Sequence, residues 1–353
     1  MKKTTLATAA LGLLACATAH AQDGLAVFGT VDLFVGHARS GPTSVARLQD
    51  GGHGATQIGV QGREDLGGGW SARFRLEAGA SADTGQGTLP GPSLAFTRQS
   101  FVGLAGPAGS LDLGRMYTPL FSSVSRADPY ALNAVFSPLN LATAIDAQPG
   151  QIPFAPRANN MARYRSPGGW PLAVDIAYAM GESASPGGRS GDVYGASLGW
   201  THGAHYLAYA MQRARSGSAA APTLHPDTTT YQALSAAYRG SQHQFFAHYM
   251  LNDSTRPGVR QARIWSLGSA WQSSSARRWV AEVARRSVAE SDRGQWAWAL
   301  GVDQALSRRT TVYARWLQLD NRGGASASLG QVPVAADSGD GARLLGVGIR
   351  HNF

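Results

Sequence analysis

Residues 71–80 read SARFRLEAGA. Ala72, Phe74 and Leu76 fall on one side of an extended chain and Arg73, Arg75 and Glu77 on the other, since successive side chains of a strand point to opposite faces. A half-buried strand of a soluble sheet has this pattern, with its apolar side on a protein core. A bilayer-crossing strand has it too, with the apolar side against lipid and the charges in a watery lumen. The rest of the chain decides between them.

The N-terminus marks export. Lys2 and Lys3 precede an apolar run from Leu6 to Ala17, and Ala19-His20-Ala21 supplies a small-x-small cleavage pattern. Residues 1–21 therefore read as a secretory signal peptide, leaving a mature domain over 22–353. Leu13-Leu14-Ala15-Cys16 offers a rival lipoprotein site, with Leu14 a poor fit to it. Cys16 is the only cysteine, so the mature chain has no disulfide and no thiol chemistry. The formal charge of +9, less the two lysines of the leader, leaves +7. For an exported chain, such a basic balance points to anionic membrane or anionic solutes and away from nucleic acid. No later segment approaches 18 consecutive apolar residues, which excludes transmembrane helices.

Outward from the opening stretch, period-two segments recur almost to the last residue. Leu25–Gly36, Gln57–Glu64, Gln99–Ala105, Leu172–Met180, Tyr231–Arg239, Gln295–Asp303 and Arg343–Phe353 are clear examples among about sixteen. Connections alternate between short turns, such as Asp65–Gly69 and Gly106–Gly109, and longer Gly-, Ser-, Pro- and Asp-rich linkers, such as Arg39–Ala55, Ala214–Thr230 and Asp320–Ala342. That alternation is the mark of an outer-membrane barrel. Val27, Val31, Leu33 and Val35 share a face opposite Thr30 and Asp32, and Trp296, Trp298, Leu300 and Val302 share one opposite Gln295 and Asp303. Aromatics gather toward segment ends, as girdles at the membrane boundary require. The predicted fold is an all-β, transmembrane antiparallel barrel of about 16 strands.

One stretch breaks the alternation. Residues 116–160 contain no convincing strand, yet they hold Phe121, Tyr130, Leu132, Val135, Phe136, Leu139 and Phe154, too apolar for disorder. Asp128-Pro129 suggests a helix start before Tyr130–Phe136. We expect this loop to fold into the lumen and narrow it. Parity places Arg73, Arg75, Glu77, Gln57, Gln61, Arg163 and Arg165 on lumen-facing sides, and the loop adds Arg126, Asp128, Asp146 and Arg157, with Arg115 at its start. These arginines either favour anions or pair with the carboxylates and brace the wall.

Several blocks carry a family resemblance. LAVFGTVDLFVG at 25–36, GVQGREDLGGGWSARFRLEAG at 59–79, RQSFVGLAGPAGSLDLGRMYTPL at 98–120, NNMARYRSP at 159–167 and the closing GVGIRHNF resemble general porins of Gram-negative bacteria, the β-proteobacterial branch in particular. The resemblance implies a sixteen-stranded barrel in the outer membrane and a homotrimer, with the third extracellular loop as constriction. It implies passive diffusion of small hydrophilic solutes, often with anion preference. It also implies contact with outer-membrane lipid and lipopolysaccharide, and a terminal Phe353 read by the barrel-assembly machinery. Arg73, Arg75, Arg163 and the residues around Asp128 become constriction candidates. Two departures stand out: Gln57 and Gln61 where relatives often have arginine, and Arg165 where they often have aspartate after the Arg-Tyr pair. A channel specific for one small anionic solute, with Tyr117 or Tyr130 as loop ligand, is the alternative. His202, His205, His243 and His248 sit in no nucleophile or metal-ligand motif, so no enzyme, cofactor or metal is expected.

Overall fold

The computed structural model describes residues 24–87, 95–144, 152, 154–184, 189–329, 331–332, 334 and 339–353. The expected signal peptide and Asp146 lie outside the described residues. The described residues form eighteen strands and two helices: β1 (Ala26–Ser40), β2 (Thr43–Asp50), β3 (Gln57–Gly67), β4 (Trp70–Ser81), β5 (Gln86–Gly87), β6 (Gln99–Gly106), β7 (Gly109–Tyr117), α1 (Pro119–Arg126), α2 (Pro138–Ala144), β8 (Arg157–Arg165) and β9 (Leu172–Ala179). There follow β10 (Val193–His202), β11 (His205–Arg215), β12 (Thr228–Arg239), β13 (His243–Ser254), β14 (Ala262–Gln272), β15 (Arg277–Val288), β16 (Gly294–Ala305), β17 (Thr310–Arg322) and β18 (Ala342–Asn352).

All pairings are antiparallel, and β1 pairs with β18, so the sheet closes on itself. Two of the strands add nothing to the circumference. β2 covers β1 from Leu33 to Ser40 and β3 covers it from Ala26 to Thr30, so together they make one interrupted stave. β5 pairs only two residues at the end of β4. Sixteen staves remain, the number read from the sequence. Closure removes every sheet edge that would otherwise expose unpaired amides to lipid. At the seam Phe353 and Gly29 exchange two backbone hydrogen bonds of 3.1 Å. The Phe353 ring lies where a Cβ on Gly29 would stand, 2.1 Å away, so any larger residue there must displace the ring.

The opening stretch is now placed. Ala72 and Phe74 stand in register with Leu104 and Val102, both exposed on the outer surface. Glu77 is buried within, and Arg73 and Arg75 turn inward to polar partners. No helix among the described residues is long and apolar enough to cross a membrane.

The loop lies against the inner wall. α1 packs on β10, β11 and β12, and α2 on β14, β15 and β16. Leu120, Val124, Phe136 and Leu139 are wholly buried there. Burying side chains of this size contributes roughly 1.5–3 kcal/mol each, so apolar burial holds the segment down.

Three local expectations need correction. The helix predicted over Tyr130–Phe136 is absent: Ala131 and Leu132 both take φ near 52°, and the chain turns instead. Helices begin at the neighbouring cap-proline pairs, Thr118-Pro119, where Thr118 Oγ1 accepts from Phe121 N, and Ser137-Pro138, where Ser137 Oγ accepts from Asn140 N. The linker predicted at Arg39–Ala55 is mostly strand, turning sharply at Gly41. The long linker before β18 is no free surface loop, since Leu329, Val332 and Val334 are buried in one cluster with Phe34, Val135 and Phe136.

Candidate pore constriction

Glu77, near the inner end of β4, holds two guanidinium groups. Arg75 Nη2 reaches its Oε2 at 2.7 Å and Arg98 Nε reaches its Oε1 at 2.6 Å, with Gln99 adding an amide bond at 3.1 Å. Arg75 also donates to Gln61 Oε1 at 2.8 Å. Asp112 on β7 is used the same way: Arg73 grips both its oxygens at 2.9 and 2.7 Å, and Arg165 reaches Oδ2 at 2.5 Å. Arg73 lies two staves away, on β4. The contact passes over Gly103 on β6, whose missing Cβ would stand 2.1 Å from Asp112 Oδ1.

Arg163 chelates Asp175 at 2.9 and 2.5 Å, then donates to Tyr117 O at 2.6 Å and Ser122 Oγ at 3.0 Å. It thereby ties the start of the inward loop to the wall. Arg98 and Arg157 both donate to the Tyr117 hydroxyl, at 2.8 and 2.5 Å, and the Tyr117 ring stacks on Phe121. Six arginines (73, 75, 98, 157, 163, 165) meet three carboxylates (77, 112, 175), which leaves a formal excess of +3. The pairing is real and the excess survives it. Arg73, Arg75 and Arg165 keep 28–39% of their side-chain surface open, whereas Arg163 at 6% is a brace.

Not every expected residue joins this group. Arg115 stands opposite Ser100 on the outward file of Leu111 and Leu113, just before the ladder irregularity between Gly114 and Met116. It binds Thr97 O and Asn159 Oδ1 and pairs with none of the three carboxylates. Arg126 is exposed at the end of α1, over the Tyr206 ring at 4.5 Å, with Thr201 and Arg239 beside it. Asp128 is buried in the loop, accepting from Tyr130 N, Leu132 N and Ser137 Oγ at 2.7, 3.0 and 2.7 Å. Burial pushes its carboxyl above the usual range, against those three donors. Arg98, Asp112 and Asp175 escaped the sequence reading, although Asp112 is the inward residue between Leu111 and Leu113 and parity alone marks it. Of the two tyrosines considered as solute ligands, Tyr130 is buried with its hydroxyl on Val280 O, and Tyr117 already serves two arginines.

A second ionic group sits on β15 to β17. Asp303 holds Arg315 at 2.5 Å, with Arg278 at 3.6 Å and His53 at 3.5 Å. His248 is a structural residue. Its Nε2–H donates to Ala127 O at 3.0 Å, leaving Nδ1 to accept from Ser235 at 2.9 Å, so the pair anchors the loop. No group of three or more potential metal ligands occurs among the described residues. The cation inventory is uniform. Lys2 and Lys3 are the only lysines among 31 basic residues, so every one of the remaining 29 is arginine.

Similarity to known proteins agrees with this architecture. Outer membrane porin protein 32 of Delftia acidovorans is 26% identical over 367 residues, spanning 100% of both chains. The anion-selective porin from Comamonas acidovorans superposes with a TM-score of 0.83 at 22% identity, over 94% of this chain and 100% of that one. The trimer form of OmpT from Vibrio cholerae gives 0.68 at 12% identity, over 94% and 99%. A family model described as Gram-negative porin matches residues 7–324, so the chain belongs to the Gram-negative porin family and forms an outer-membrane β-barrel channel for small hydrophilic solutes.

Proposed function

We propose that this porin prefers small anions and works as a homotrimer. The observation that carries the preference is the excess of three guanidinium charges beside the loop. Unit charges about 4 Å apart interact by roughly 1 kcal/mol in water and about 4 at an effective dielectric of 20; a narrow passage lies between, enough for roughly tenfold discrimination. The anion selectivity named for the Comamonas acidovorans relative agrees with it. Reconstitution in a planar bilayer under a KCl gradient tests the reading. An anion-directed reversal potential is expected, and a cation-directed one overturns it.

The trimer reading rests on the outer surface. From β1 to β7 the exposed outward residues are largely aliphatic, with Val27, Val31, Val35, Ile58, Val102, Leu104, Leu111 and Leu113. From β9 to β17 they include Tyr178, Trp200, Tyr209, Tyr249, Trp271, Trp279 and Trp298, the aromatic belts that a lipid interface favours. A mainly aliphatic face, with Trp70 its exposed aromatic, is suited to two copies of the same wall. Openings in three equal conductance steps are the expected signature. Phe353, half-exposed at the seam, is our candidate for recognition by the assembly machinery.

A further inference from the structure

Two guanidinium groups stand unmatched where α1 ends, at the short-turn mouth of the lumen. Arg126 is the last residue of α1, and Arg239 is the last of β12, on the inward file of Ala237. Both sit on one aromatic surface. Arg126 lies 4.5 Å over the Tyr206 ring, and Arg239 stands 5.9 Å from that ring and 5.8 Å from the Phe246 ring. Tyr206 is itself fixed, with its hydroxyl 3.2 Å from Ser123 Oγ on α1. Arg126 Nη2 donates to Thr201 Oγ1 at 3.2 Å, and Arg239 Nη2 donates to Arg126 O, a carbonyl of the last helical turn. Those bonds use one donor each of the five that a guanidinium carries.

No carboxylate answers them. Neither arginine forms an ion pair among the described residues. β10 to β13 hold a single carboxylate, Asp253, which stands opposite Thr230 at the long-loop end, and α1 holds none. Asp128, two residues beyond Arg126, is buried and turned to its own three donors. Arg278, which also reaches the loop, at Pro129 O, differs in having Asp303 at 3.6 Å. Two like charges held on one ring repel each other unless an anion enters between them. We propose that Arg126, Arg239 and Thr201 bind a small, doubly charged tetrahedral oxyanion of the phosphate class, at a station separate from the constriction. Guanidinium planes match phosphate oxygens in pairs, and the Thr201 hydroxyl, which accepts from Arg126, has its own proton to donate. The site rests on the anion preference proposed above for the arrival of the solute, and goes beyond it in naming a ligand and its seat. A phosphate seated there obstructs the chloride that follows it.

The test is chloride current through the folded protein in a planar bilayer, with inorganic phosphate or nitrate added at equal ionic strength. The solution is held at about pH 8, where phosphate is doubly charged. Phosphate should halve the current at about a tenth of the nitrate concentration. R126Q and R239Q should each raise the phosphate concentration needed roughly tenfold. R239K keeps the charge and a donor for Arg126 O but not the planar fork, and should fall between R239Q and the parent. R277Q, at the same rim with its side chain on Gln304, should change nothing. Phosphate block no stronger than nitrate block, or unchanged in both R126Q and R239Q, overturns the proposal. Reversal potentials in a KCl gradient without phosphate keep this site apart from the selectivity reading. A cation-directed parent whose phosphate block still depends on both arginines would refute the preference and leave the site standing. R126Q, which removes an exposed side chain, decides the matter even where R239Q does not fold.

Discussion

Glu77 and Asp112 each hold two guanidinium groups, so each carboxylate sets the position of two charges while cancelling one. Glu77→Gln should free Arg75 and Arg98 and raise the local excess by one unit. Its reversal potential in a KCl gradient should move further toward anions. R75E with R98E should move it toward cations; an unchanged potential in both would mean the current bypasses this cluster. Gly103→Ala tests the geometry behind Asp112, because a Cβ there must displace the carboxylate or the strand. Overpacking of this kind costs about 1–3 kcal/mol, measurable as a lower denaturant midpoint of the folded barrel. Parity told which side chains face inward, and it placed Arg73, Arg75, Arg163 and Arg165 correctly on the wall. It could not tell that Arg73 reaches Asp112 across an intervening strand, because that depends on the register of three strands at once. Arg115, read at the start of the loop, stands instead on the outward file of β7, which runs on to Tyr117.

At the scale of the element, the inward segment is fixed by a few buried polar anchors set among apolar side chains. Asp128→Ala should leave Tyr130 N, Leu132 N and Ser137 Oγ without their acceptor, at about 1–3 kcal/mol for each buried group. The expected readout is a noisier channel at unchanged wall stability. Asp128→Asn keeps an acceptor and removes the buried charge. Because burial raises this carboxyl, its favourable contribution is complete below the ordinary aspartate range and falls away as pH rises through the raised value. The asparagine variant should therefore flatten the change in channel noise between acid and neutral pH, and a variant as noisy as the alanine form at all pH values would refute that account. Shortening the chain between Arg322 and Ala342 removes Leu329, Val332 and Val334 from the cluster around Phe136, and single-channel conductance should rise. The sequence showed a cap-proline pair at Asp128 but not that the next residues take left-handed backbone. Local propensity was the same at three sites; tertiary contacts chose two.

For the whole molecule, period-two alternation was enough to read the barrel and its number of staves, since lipid outside and water inside impose one rule on every strand. The pore interior was less legible because it is packed by loops, which obey no such period. Two predictions belong at this scale. Replacing Val102 and Leu104 together by arginine should convert a trimeric band on unheated gels into monomers while leaving the barrel folded. Anion preference should also fall as KCl rises from about 0.1 M to 1 M, since the screening length shrinks from roughly 10 to 3 Å. With arginine supplying the charge, the preference should persist into alkaline solution where lysine pores would fade.

The seam between Gly29 and Phe353 has a consequence in time. Thr30 and Asn352, next to it, bond across 322 positions of sequence, so the first stave has no partner for its outer edge until β18 exists. Assembly cannot be committed early, strand by strand, as synthesis proceeds. The chain has to be kept pliable through export and then sealed in one late event. A chain lacking β18 is expected to wait at that step, an open ribbon with every other stave in place.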